Sequence, residues 1–405
     1  MYPTLQAMRQ LTAEGDYRRI PLCREILSDR FTPVEVMRIL RKVDRHCFLL
    51  ESAGQKETWG RYSFLGYEPS MEITCMNGAV TIRSIHDEKN TEGTAEKNFQ
   101  NRKAAGDETI GRNVQDAENE EEMETAHPGE ILRKILREYK CPTIEGLPPF
   151  TGGLAGYFSY EYLRYSEPKL KLEDHGDSDF RDMDLMLFDQ VIAFDHYRQK
   201  LCLIAGVKTD NLETSYRKAE EKLREMEELL KKGKKKVFPP LKLKSEISPQ
   251  FSREKYCSMV EKAKRYIREG DIFQVVLSNP VRATAAGSLF DTSRVLRTIN
   301  PSPYMFYFSS DDLEMAGASP ETLVKLERGK LTTFPLAGTR PRGKDSREDR
   351  KLEEELLADE KELAEHNMLV DLGRNDLGKI SRIGTVKVEK YLSVEKFSHV
   401  MHLGS

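Results

Sequence analysis

By its residues alone the chain predicts a two-domain protein of the α/β class, and three observations carry that expectation. Its 405 residues exceed the size at which a single hydrophobic core usually stops growing. Hydrophobic residues make up 38% and charged residues 32%, enough apolar material for a core beneath a well-charged surface. The third is a change of character near residue 233. There a Lys-rich run and Pro239-Pro240 separate a half of short alternating stretches from a half that restarts with a capped helix.

The first half opens on a polar, helix-like lead, followed by a helix over 33–43 with Val34, Val36, Met37, Ile39 and Leu40 on its apolar face. Residues 47–51 read as a strand, 60–66 as an extended segment bounded by glycines, and 71–75 and 79–82 as strands of a small antiparallel sheet. From 86 to 127 large apolar residues almost vanish. Such a segment cannot bury enough surface to offset its ordering entropy, so it is expected to be a disordered insertion. A helix returns over 128–139 through Ile131, Leu132, Ile135 and Leu136. Gly152, Gly153 and Gly156 lie among Leu154, Tyr157, Phe158 and Tyr160. They give 150–163 the pattern of a buried strand where backbones approach closely. Residues 183–194 and 199–205 alternate as a strand pair, and 211–232 is a charged helix. The basic run 231–236 has no interleaved aromatic residues and reads as a solvated linker.

In the second half Ser252 is an N-cap candidate. Tyr256, Met259, Val260, Ala263, Tyr266 and Ile267 form a helix stripe that Gly270 closes. A strand over 272–277 follows, then an extended segment at 304–309, a turn at Ser319-Pro320, strands at 322–326 and 330–333, and one long helix over 346–373.

The formal net charge is −3 with both signs plentiful, which argues against a general nucleic-acid binder and a membrane-surface protein. No stretch is apolar enough to span a bilayer and the N-terminus lacks a signal-peptide core, so the expected location is cytoplasmic. The six cysteines are scattered without a C-x-x-C pair, the pattern of free thiols rather than of disulfides or zinc.

Four places look chemical. Glu365 lies at helical spacing beside Met368 and Leu369, and a carboxylate on an apolar stripe needs an ion pair, with Arg374 or a lysine, or a metal. Residues 335–343 form a glycine-punctuated turn ending in Arg340 and Arg342. Its amides near Gly338, the Thr339 hydroxyl and the arginines suit a carboxylate or phosphate, or the segment is a tight turn with solvated arginines. Residues 371–376 read as a polar helix terminus capped by Gly373. Strand-like alternation puts His402 on the face of Val400, as a core histidine or a proton carrier.

Taken in order, the stretches 270–278, 300–307, 317–321, 335–343, 364–372 and 400–403 resemble the chorismate-utilising enzymes, and among these the anthranilate synthase component I group. Residues 49–52 and 152–157 add to the match, which spans nearly the whole chain apart from 86–127. The resemblance implies an α+β fold of two large antiparallel β-sheets packed face to face, with helices outside and the active site between the sheets. It implies a regulatory region over 1–240 and a chorismate-binding catalytic region over 241–405. The implied reaction converts chorismate and ammonia to anthranilate and pyruvate. Glu321 matches a general acid, His402 a residue that assists proton transfer, Gly338 and Thr339 contacts to chorismate, and Glu365 a ligand of Mg²⁺. Ser52, Pro303, Tyr304 and Met305 match an allosteric L-tryptophan pocket. The implied partner is a glutamine amidotransferase subunit that supplies ammonia, in a heterotetramer.

Two positions match this group rather than its relatives. Gln274 stands where isochorismate and salicylate synthases carry a water-activating lysine. Ala337 stands where aminodeoxychorismate synthases place a lysine nucleophile. The family's pattern runs on past Ser405, with a second magnesium glutamate, an arginine and a glycine-rich loop. The resemblance therefore implies a fold lacking its C-terminal strands and a chain with little or no activity of its own; the alternative is a non-catalytic tryptophan- or glutaminase-binding fragment. Gly404-Ser405 resemble the remnant of a truncation.

Overall fold

The structure, a computed structural model, describes residues 1–52, 60–85, 120–167, 169–170 and 180–405. The chain divides into two compact units, Met1–Lys236 together with Leu296–Ser405, and Val237–Val295. In chain order the first unit contains α1 (Leu5–Glu14), β1 (Arg19–Leu27), α2 (Pro33–Val43), β2 (Cys47–Glu51), β3 (Tyr62–Tyr67), β4 (Met71–Met76), β5 (Ala79–Ser84), β6 (Glu120–Glu124), α3 (Pro128–Glu138), β7 (Gly153–Phe158), α4 (Leu163–Ser166), β8 (Met183–Phe188), β9 (Gln190–Asp195), β10 (Lys200–Lys208) and α5 (Leu212–Lys232). Then come β11 (Lys242–Leu243), β12 (Ser248–Pro249), α6 (Arg253–Glu269), β13 (Val281–Arg282), β14 (Ala285–Ala286) and α7 (Phe290–Ile299). The chain returns to the first unit at Leu296, within α7, and continues with β15 (Tyr304–Ser309), β16 (Glu314–Ser319), β17 (Thr322–Glu327), β18 (Lys330–Phe334), β19 (Leu336–Pro341), α8 (Ser346–Ala358), α9 (Glu360–Gly378), β20 (Ser393–Lys396) and β21 (Val400–Gly404).

Two large antiparallel sheets organise the first unit, as the resemblance implied. One has seven strands in the order β1-β10-β9-β3-β2-β15-β16, the other five in the order β6-β5-β4-β8-β7. They pack through Phe48, Met186, Phe188, Val191 and Phe308, with Phe64, Phe150 and Tyr157 at the margin. Phe48 and Phe188 meet edge to face at 4.7 Å. Gly66 lies beneath them: a Cβ there would sit 2.3 Å from Phe48, which explains a glycine inside a strand. Helices α2 and α5 pack on β2, β3, β1 and β10. Helix α2 starts where Thr32 accepts from the Glu35 amide and turns Val36, Met37, Ile39 and Leu40 inward. Each such side chain contributes about 1.5–3 kcal/mol by leaving water. No helix among the described residues is long and apolar enough to cross a membrane.

Five expectations need correction. The stretch 183–194 is two strands in different sheets: β8 pairs with β4 and β7, while β9 pairs with β10 and β3, the chain crossing over at Asp189. Both strands are buried throughout, so hydrophobicity alone could not reveal the break. The end of the expected insertion is strand β6, which pairs with β5 and sets Met123 opposite Val80 in the core of the five-stranded sheet. One apolar residue among four glutamates left no alternation to read. Residues 86–119 lie outside the described ones. Strand β7 is half-exposed at the end of its sheet rather than buried, although Gly156 does meet a close backbone: a Cβ there would lie 2.0 Å from the Asp184 carbonyl.

Residues 272–277 form no strand. Phe273 and Val276 are each 87% exposed, since β-rich composition makes a strand only beside a partner. Helix α6 forms as expected between the Ser252 cap and Gly270 at φ 84°, but none of its stripe is buried. Finally, the long helix breaks at Asp359. The Asp359 carboxylate accepts from the amides of Lys361 and Glu362 and from Arg340 at 2.7 Å, so it caps a new helix that runs through Gly373 to Gly378.

A polar seam ties the β15–β16 turn to the five-stranded sheet. Arg83 on β5 donates to Glu72 at 2.6 Å and to Asp311 at 2.8 Å, and Arg181 donates to Asp184 and Asp312. Buried His46 lies 3.2 Å from Asp44 and 3.4 Å from Asp311. Burial opposes charge on this ring, but its bonds to Asp311 and Asp44 outweigh burial and raise it to about 9. Arg83 Nη2 lies 3.2 Å from Nε2, one guanidinium against two carboxylates. The folded value stands above the ordinary histidine value of about 6.5. Charged His46 therefore stabilises the fold fully below that ordinary value and loses its effect as pH rises through about 9. We expect His46→Gln to lower the unfolding free energy by roughly 1–3 kcal/mol at pH 6 and by clearly less at pH 10. Urea midpoints at the two pH values check this.

Candidate functional site

The residues singled out near the end of the chain meet on a small third sheet, in the order β19-β21-β20. The core that joins the two large sheets, built on Phe48, Met186, Phe188, Val191 and Phe308, contains none of them. Strands β19 and β21 pair antiparallel with Thr339 opposite His402, and their register shifts between Ala337 and Thr339. The shift is a bulge at Gly338, whose φ of 63° favours glycine. A Cβ there would also press on Leu403 at 3.1 Å and Leu356 at 3.2 Å. Alternation along β21 sends Met401 and Leu403 into a core with Leu356 and leaves His402 half-buried on the opposite face. His402 thus belongs to the open side of the strand. Its Nδ1 lies 3.0 Å from the Thr339 hydroxyl and 3.2 Å from the Gly338 carbonyl.

Glu321 is exposed just beyond β16, and its Oε1 accepts from the Leu336 amide at 3.3 Å. That bond ties it to the first residue of the strand bearing Gly338 and Thr339. Glu365 is half-buried on α9, which packs against β19. Next to it His366 is fully buried, with Nε2 2.7 Å from the Ser405 hydroxyl, and burial lowers the pKa of its ring. Gln274 is exposed in the second unit, within the segment that forms no strand.

The arginines of the 335–343 turn are neither solvated nor held open for an anion. Arg340 pairs with Asp359 at 2.7 Å, and Arg342 grips buried Asp349 through two bonds of 2.8 and 2.9 Å. The Arg342 guanidinium holds the Asp349 carboxyl well below the usual carboxylate range. Arg374, considered as a partner for Glu365, pairs with Asp371 at 2.7 Å. Among the described residues no three His, Cys, Asp or Glu side chains group as a ready metal cage. A Mg²⁺ ion usually takes one or two protein carboxylates and completes its shell with substrate oxygens and water. Glu365 fits that mode as a single donor.

A second grouping lies at the far end of β15. Met305 pairs with Glu51, so Ser52 follows directly beside Tyr304; Pro303 and Met305 are buried and Tyr304 is 40% exposed. Sequence reasoning singled out Ser52 but missed its neighbour Glu51, half-buried and bonded by Arg297 at 2.8 and 2.9 Å. Burial raises the pKa of the Glu51 carboxyl, against the pull of Arg297. Glu51 was visible within the 49–52 stretch, whereas nothing local to Arg297 announces the pair.

The profile of chorismate binding enzymes matches residues 45–405. Anthranilate synthase component 1 of Acetivibrio thermocellus is 37% identical over 99% of this chain and 76% of its own length. The Aquifex aeolicus protein of the same name is 35% identical over 99% and 75%. Among solved structures, anthranilate synthase component I from Streptococcus pneumoniae superposes with a TM-score of 0.65 at 32% identity, over 85% of this chain and 68% of that one. The menaquinone-specific isochorismate synthase of Escherichia coli shares the fold at 17% identity, with a TM-score of 0.54 over 99% and 73%. This chain is a member of the chorismate binding enzyme family, in its anthranilate synthase component 1 group.

Proposed function

We propose that the chain is the synthase component of an anthranilate synthase, a lyase that converts chorismate and ammonia to anthranilate, pyruvate and water. One observation carries the reading: Gly338, Thr339 and His402 share a site on β19 and β21, and Glu321 is bonded to the start of β19. The Gly338 and Thr339 segment binds a substrate carboxylate through its amide and hydroxyl. Ammonia forms a bond to C2 of the ring as the C4–O bond breaks, and Glu321 donates the proton that lets the oxygen leave as water. Loss of the C2 proton then expels the side chain as pyruvate, with His402 assisting that transfer. Glu365 supplies a carboxylate to Mg²⁺, which when bound supplies positive charge toward a substrate carboxylate. Gln274 offers a neutral amide where water activation would need a base, and Ala337 a methyl group where covalent catalysis would need an amine.

The same reading gives residues 1–240 a regulatory role and 241–405 the catalytic one. L-Tryptophan occupies the pocket at Ser52, Pro303, Tyr304 and Met305, and acts on catalysis from that separate site. Ammonia comes from a glutamine amidotransferase subunit in a cytoplasmic heterotetramer.

Product identity tests the reaction. With chorismate, ammonium and Mg²⁺ the expected products are anthranilate and pyruvate in equal amounts, and Glu321→Gln lowers the rate by about 100-fold or more. An aminodeoxychorismate product would favour that synthase instead, and no product at all would favour a non-catalytic binding protein. Gly338→Ala is expected to cost about 1–3 kcal/mol of stability, from the left-handed backbone and the contacts with Leu403 and Leu356. It should also weaken chorismate binding; thermal melts and calorimetry measure the two effects.

A further inference from the structure

The geometry points to Tyr304 as a positioning residue for Glu321, an inference that rests on the proposed role of Glu321 as the acid. Tyr304 touches the Glu321 segment from both sides. Its backbone pairs with Ser319, two residues before Glu321. Its hydroxyl lies 2.6 Å from the hydroxyl of Thr322, the residue after it. Thr322 is buried while Glu321 itself is exposed, so the turn between β16 and β17 is anchored on each side and open in the middle. The Ser319 hydroxyl adds a contact to the Glu321 amide at 3.5 Å.

An exposed carboxyl on a turn would ordinarily sample many rotamers. Here the two anchors restrict the backbone of a three-residue step, and that restriction brings Oε1 to the Leu336 amide. Tyr304 is 40% exposed and Thr322 is 8% exposed, so the hydroxyl pair lies at the edge of the core, where a direct bond competes with water and still holds. A phenylalanine would keep the ring, the strand register and the buried area, and would remove only the hydroxyl. The bond is therefore separable from the packing around it.

The Leu336 amide reports the position of Glu321, so its hydrogen exchange tests the inference in the intact chain. Glu321→Ala calibrates the reporter by removing the acceptor. Tyr304→Phe and Thr322→Val should each speed exchange at Leu336 toward the Glu321→Ala value, by about tenfold. The double variant should add little to either single change. Thr322→Ser, which retains a hydroxyl, should exchange like the unaltered chain, and amides of β9 and β10 should not change in any variant. Unchanged exchange at Leu336 in Tyr304→Phe, equal loss in Thr322→Ser and Thr322→Val, or faster exchange throughout the chain would each overturn the inference. Chorismate turnover by Glu321→Gln at the unaltered rate would instead remove the acid role of Glu321 and leave the exchange result standing.

Discussion

The first unit depends on one pairing, that of Cys47–Glu51 with Met305–Ser309. These strands lie far apart in the chain, and their ladder is what joins the β15–β16 hairpin to a sheet otherwise built from the first 208 residues. Closing so long a loop is less costly than it looks, because loop entropy grows only with the logarithm of length, about 0.6 kcal/mol per doubling. The ladder bonds are joined by the burial of Phe308 against Phe48, Phe188 and Met186, and by the seam from Asp311 and Asp312 to Arg83 and Arg181. Arg41 adds a third tie, donating from α2 to Tyr307 and Glu314.

From that pairing the functional geometry follows. The start of β15 stands beside the end of β2, which brings Tyr304 and Met305 next to Glu51 and Ser52. The end of β16 delivers Glu321 toward β19. One hairpin thus has the proposed effector pocket and the proposed acid at the same end, with Tyr304 in the pocket and bonded to Thr322 beside the acid, and the charged seam fastened at the other.

Much of the fold was legible because most elements carry their own start and stop signals. Thr32 before Pro33, and Ser252 with Gly270, mark helix ends through hydrogen bonds a reader can anticipate. What escaped depended on partners elsewhere. Strands β8 and β9 read as one run because both faces of each are buried; β6 read as disorder because its pairing with β5 comes from the neighbour's edge. Asp359 fell inside the expected long helix; it caps α9 by accepting from the Lys361 and Glu362 amides, and the tie from Arg340 that fixes its carboxylate lies nineteen residues away. The site divides in the same way. Motifs supplied the residue types at 321, 338, 339, 365 and 402, but the contact of Thr339 with His402 is a matter of strand register, and the ties of Arg340 and Arg342 are tertiary. The Glu51–Arg297 pair and the Tyr304–Thr322 bond likewise join residues that no short window contains.

The central claim is that β2 and β15 belong to one cooperative body. Native-state hydrogen exchange of their amides across a series of urea concentrations tests it most directly. If the claim holds, residues 47–51 and 305–309 open together, with one free energy and one dependence on urea. Exchange of 305–309 through a separate, lower-energy opening, with 47–51 still protected, would contradict it.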